Sequence, residues 1–128
     1  MIGSAADVAN LLMTEMGLLE QESLRTLIMN NRNAVLAVHE VVRGSVNAAQ
    51  VRIAEVFKEA IRANAPAIAI AHNHPSGDPS PSSADVTLTL ELSRAAEILD
   101  IDLIDHLIIG DGRWVSLRRL GLGFSKVI

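Results

Sequence analysis

The chain has 128 residues, of which 49% are of the AVILMFWYC types and 20% are charged, so it is long enough for one well-packed domain and too apolar for a disordered one. Its net charge of −4 argues against a large phosphate-binding face, and with aromatics at 2% and no Tyr it lacks the stacking platforms that grip single-stranded nucleic acid. The absence of Cys excludes disulfides, thiolate catalysis and Cys-ligated zinc.

No apolar run approaches the ~20 residues that span a bilayer. The opening MIGSAADVAN lacks the basic flank and continuous apolar stretch of a secretory signal, so a cytoplasmic protein is expected. The one modest basic cluster, Arg113, Arg118, Arg119 and Lys126, fits a solvated surface.

In chain order, Ser4 can cap a first helix, with Asp7 as the capping-box acid, Val8, Leu11 and Leu12 at helical spacing, and Gly17 closing it. Residues 1–17 are expected to be a helix or a linker, and 18–128 the domain proper. Leu24 to Met29 has the pattern of a buried strand, and the turn Asn30–Asn33 joins it to a second, Ala34 to Val42, as an antiparallel hairpin. Asn47 can cap a helix running to Asn64, with Val51, Ala54, Val56, Phe57, Ala60 and Ile61 as its apolar stripe and Pro66 as the stop.

Ala67 to Ala71 is a third strand. A polar loop follows, then a helix from Ser83 to Leu99 and a fourth strand from Asp102 to Ile109. Asp111-Gly112 makes a tight turn into a short fifth strand, Trp114 to Leu117, and Gly121 and Gly123 mark a loose end. The order α-β-β-α-β-α-β-β predicts an α/β fold, a mixed β-sheet flanked by helices.

The loop is the feature that carries chemistry. His72 to Asp85, HNHPSGDPSPSSAD, holds two His, two Asp, three Pro and four Ser between two apolar elements. His72 and His74 stand at i and i+2 at a strand end, so both imidazoles can converge on one point, while Asn73 points away and is suited to orient the loop by hydrogen bonding. Pro79 and Pro81 restrict the path back to Asp85, which falls in the first turn of the next helix. Two imidazoles and a carboxylate suit zinc and leave one tetrahedral position open. Spacing alone also fits an incidental His-x-His followed by a rigid turn.

The string His72-x-His74-x7-Ser82-x2-Asp85 resembles the JAMM motif of the JAB1/MPN metalloprotease superfamily. The fuller HNHPSGDPSPSSAD is similar to the form carried by RadC-type proteins, a bacterial group associated with DNA repair. QESLRTLIMNNRN before it and IDLIDHLIIG after it look like the same family, so the resemblance covers nearly the whole chain. It implies a three-layer, cytidine-deaminase-like architecture, zinc held by His72, His74 and Asp85, and Ser82 as the donor to an oxyanion. It also implies a general acid/base at Glu22, just ahead of the first core strand; Glu20 and Glu40 fit that place less well.

The activity so implied is zinc-dependent hydrolysis of a peptide or isopeptide amide in a peptide or protein substrate. The alternative is a non-catalytic metal-binding interaction module of DNA metabolism. Asp78 is expected to be a turn carboxylate and His39 an ordinary strand histidine. Asp105 and His106 sit on opposite faces of their strand, so at most one faces the site, in a supporting role. The contiguous His72-Asn73-His74 is unrelated to HNH nucleases, whose namesake residues are scattered over a ββα element. RadC-type proteins carry an N-terminal helical region suited to DNA contact that these residues do not match. An excised domain or a naturally short member is therefore expected, and DNA binding by this domain alone is not. An exposed sheet edge would allow a homodimer.

Overall fold

Two strands of the chain have every residue buried, and the rest of the fold is arranged to cover them. They are β1 (Ser23–Met29) and β3 (Ala67–Asn73), neighbours at the centre of a five-stranded sheet in a computed structural model that describes residues 5–46 and 49–124. The other strands are β2 (Val35–Arg43), β4 (Asp102–Ile109) and β5 (Trp114–Ser116), and the order across the sheet is β2-β1-β3-β4-β5. Only β3 and β4 run parallel, as the helical crossover between them requires; the remaining pairs are antiparallel.

Strands buried on both faces need cover on both sides. Helix α1 (Ala5–Met16) lies on one face, burying Val8, Ala9, Leu12 and Met16 against Leu27, Met29, Leu107 and the small residues Ala67, Ala69 and Ala71. Helices α2 (Ile53–Arg62) and α3 (Ser83–Leu99) cover the other, where Leu24, Ile28, Ile68 and Ile70 meet Val56, Phe57, Leu88 and Leu92. The strict alternation of Ala and Ile in β3 is therefore a division of labour between two cores. The result is the mixed sheet flanked by helices expected from the pattern, in three layers.

Three details differ from the sequence expectation. The second helix begins at Ile53, after Arg52 in extended backbone, and ends at Arg62. Val51 is buried from a non-helical approach, so its apolar character reflects core contact and not a helical stripe. Asn47, like Ser4 and Lys126, lies outside the described residues. Leu117 does not extend β5; it opens a one-turn helix, α4 (Leu117–Leu120), because Ser116 turns the chain and its hydroxyl accepts from the Arg119 N–H. The segment after it is pinned rather than loose. A Cβ on Gly123 would lie 2.7 Å from the Thr89 Cβ, and the Ser93 hydroxyl donates to the Gly123 carbonyl. The basic side chains here are put to structural use: Arg118 donates to the Leu103 and Ile104 carbonyls and covers Phe124, and Arg119 lies over Trp114.

The loop after β3 is tied to the β4–β5 turn. The His74 N–H donates to the Ile109 carbonyl, the Asp111 N–H donates to the Gly77 carbonyl, and Arg113 reaches that same carbonyl. Gly110 makes the approach feasible, since a Cβ there would stand 2.3 Å from the Gly77 oxygen and 2.8 Å from Pro79 Cδ. Gly110→Ala should therefore cost about 1–3 kcal/mol, as overpacking against backbone does. The urea midpoint reads this; a midpoint equal to that of the wild type contradicts the close approach.

Candidate metal centre

Strand β3 delivers His72 and His74 to the face covered by α3, because they share the direction of Ile68 and Ile70. Helix α3 delivers Asp85 from its third position. Ser82 is the N-cap: its hydroxyl oxygen accepts from the Asp85 N–H while its own N–H donates to Asp85 Oδ2 at 2.8 Å, a complete capping box. One carboxylate thus closes the helix start and faces the histidines.

The candidate ligating atoms converge. His72 Nε2 and His74 Nε2 are 3.1 Å apart, His72 Nε2 is 3.1 Å from Asp85 Oδ1, and His74 Nε2 is 3.2 Å from Asp85 Oδ2. A tetrahedral zinc with bonds of about 2.0–2.1 Å spaces its donors roughly 3.3–3.4 Å apart, so this set fits the ion after a slight opening. The neutral His74 ring is suited to that use. Its Nδ1 lies 2.9 Å from the Asp78 carbonyl, which can only accept, so the hydrogen is on Nδ1 and Nε2 presents a lone pair. Asp78's own carboxylate is absorbed by the Ser80 N–H and hydroxyl, as a turn carboxylate.

Glu22 reaches the same cleft from the other central strand. β1 and β3 pair antiparallel with Leu24 opposite His72 as their last pair, and Glu22 lies just beyond it at the end where His74 follows β3. Its Oε2 accepts from the Val46 N–H at 2.7 Å. An open cleft of about 440 Å3 is lined by Glu22, Val46, His74, Ser82 and Asp85 among others. Glu20 lines an adjoining stretch beside Glu22, while Glu40 is engaged by Ser23 and Arg43 elsewhere.

Asn73, expected to orient the loop, instead works through its amide on the opposite strand. It accepts from the Ser23 N–H at 2.7 Å and donates to the Gln21 carbonyl at 3.0 Å, clamping the backbone on both sides of Glu22. Among residues not singled out, Thr89 and the Val46 N–H also act at the site; main-chain groups leave no mark in a sequence. His106 is fully buried with Nε2 2.7 Å from His72 Nδ1, whereas Asp105 turns to the Ser116 hydroxyl and the Arg118 N–H.

A RadC-like JAB domain description matches residues 2–122. The chain belongs to the RadC-like JAB domain family. It is 54% identical over 124 residues to a UPF0758 protein of Chloroflexus aurantiacus (strain ATCC 29366 / DSM 635 / J-10-fl), covering 97% of this chain and 54% of that protein. It is similarly 50% identical over 125 residues to one of Roseiflexus castenholzii (strain DSM 13941 / HLO8), covering 98% and 54% of the two chains. A Clostridium beijerinckii (strain ATCC 51743 / NCIMB 8052) relative is 46% identical over 121 residues, covering 94% and 53%. This RadC-like JAB domain spans about half the length of these relatives. None of its described helices is long and apolar enough to cross a membrane.

Electrostatics in the His72, His74 and Asp85 cluster follow from the geometry. Burial pushes the Asp85 carboxyl up, but hydrogen bonds to both histidines, the charge of His72 and the Ser82 N–H together outweigh it and hold the group well below 3.8. The hydrogen bond to Asp85 raises His74 above 6.5, against burial and with help from the Asp78 carbonyl. In metal-free protein the Asp85 contribution to stability is present above about pH 4 and lost as pH falls through its lowered folded value; the His74 contribution is present below about pH 6.5 and lost as pH rises through its raised value. Thermal melts in chelator should therefore show the highest Tm between these limits; a Tm that climbs steadily from pH 6 to 8 contradicts the pairing.

Proposed function

We propose that this domain is a zinc-dependent hydrolase of the JAMM type that cleaves a peptide or isopeptide-like amide. One observation carries it: two imidazole nitrogens and a carboxylate converge within 3.1–3.2 Å beside a cleft that also holds Glu22 and Ser82. His72, His74 and Asp85 would hold the ion. When bound, zinc acidifies water toward a pKa of ~7 and polarises a carbonyl.

The chain's own residues supply the remainder. Glu22, fixed by the Val46 N–H and by the Asn73 clamp, takes a proton from the attacking water and returns it to the amide nitrogen as the C–N bond breaks. The Ser82 oxygen accepts from the Asp85 N–H, which leaves its hydroxyl hydrogen for the carbonyl oxygen as negative charge builds there.

Zinc content by elemental analysis should be about one ion per chain in the wild type and lost in His74→Ala, as expected for removal of one of three ligands. Metal-free protein that cannot be reloaded contradicts the proposal. Glu22→Gln should retain zinc and lose about 10²–10⁴ in kcat on any peptide substrate the wild type cleaves, as removal of a general base does. Unchanged turnover would remove Glu22 from the role.

A further inference from the structure

A hydrogen-bond chain leaves the triad through the protein interior. His72 Nδ1 lies 2.7 Å from His106 Nε2 on β4, and His106 Nδ1 meets the Thr89 hydroxyl on α3. The Thr89 hydroxyl also reaches the Asp85 carbonyl at 2.8 Å, one turn back along its helix. The chain therefore starts on one proposed ligand and ends on the backbone of another, crossing three elements. All its members are buried, and Gly123 packs against Thr89 at its far end.

Its direction follows from the number of hydrogens. A carbonyl can only accept, so the single Thr89 hydrogen goes to Asp85 and the hydroxyl oxygen faces His106 with a lone pair. His106 Nδ1 then carries the hydrogen. A buried neutral imidazole has only one, so Nε2 is bare and accepts from His72 Nδ1–H. His72 keeps its Nδ1 hydrogen for His106, so its Nε2, 3.1 Å from Asp85 and from His74, is the nitrogen that exchanges its hydrogen for an ion.

We propose that His106 is a positioning residue for the metal centre: backed by Thr89, it fixes His72 as the Nδ1–H tautomer and aims its Nε2 lone pair at a divalent transition-metal ion. This rests on the reading that His72, His74 and Asp85 hold a metal. Loss of such an outer partner weakens metal binding about 10–100-fold.

The test measures zinc affinity by competition with a chromogenic chelator, together with imidazole tautomers by long-range 1H–15N correlation. His106→Leu fills the space without an acceptor and should bind zinc about 10–100-fold more weakly. His106→Gln can accept from His72 through its carbonyl and donate to Thr89 through its amide, and should stay within about threefold of the wild type. A general loss of packing would not be rescued in this way. Equal affinity in the wild type and His106→Leu overturns the proposal.

If the leucine variant does not fold, the wild-type spectrum decides. It should show His72 and His106 both protonated at Nδ1; a hydrogen on His106 Nε2 overturns the proposal. A wild type that takes up no zinc overturns the metal reading instead, and the tautomers of the metal-free protein then still report on the chain.

Discussion

The register of β1 against β3 is the constraint on which the site depends. With Leu24 opposite His72, the last ladder pair lies just inside the triad, and the next positions along both strands face one cleft. A slip of one residue would turn Glu22 to the α1 face, since side chains alternate. The register is secured by burial of both strands on both faces, and by Asn73, whose amide takes over where the backbone ladder stops. The proposed base and two of the proposed ligands are thus coupled through one side chain, although about fifty residues separate them in sequence.

Around that frame, polar groups are held by partners that restrict each to one geometry. Asp85 is fixed by the capping box of α3, His74 by the Asp78 carbonyl and His72 by His106. Among the described residues no buried side-chain nitrogen or oxygen lacks a hydrogen-bond partner. Such saturation matters because an unpaired polar group in an interior costs about 1–3 kcal/mol. The proposed ligand atoms are therefore set in place by the fold, and little reorganisation would be left for an arriving ion to drive.

Much of this was legible in the residues. The wholly apolar run Ala67–Ala71 marked a buried strand, and the His-x-His pair with a carboxylate in the next helical turn located the cluster. The boundaries that failed did so where tertiary contact replaced local pattern. Val51 looked helical because it is apolar at the right spacing, yet it enters the core from a loop. Leu117 looked like a continuing strand, but the Ser116 cap starts a helical turn there. Gly123 looked like slack and is instead the residue that lets the chain lie against Thr89. What the sequence could not show was the supporting hydrogen bonding. Main-chain groups such as the Asp78 carbonyl and the Val46 N–H have no signature, and Thr89 is an ordinary helix residue until His106 is placed beside it.

His72, His74 and Asp85 are proposed to hold a metal in an open, catalytic type of site. X-ray absorption of the zinc-loaded protein tests it most directly. The expected result is a four-coordinate ion with imidazole scattering from two histidines, nitrogen and oxygen neighbours at about 2.0–2.1 Å, and an oxygen in the fourth position. An ion without imidazole neighbours, or one surrounded by six oxygens, would contradict it.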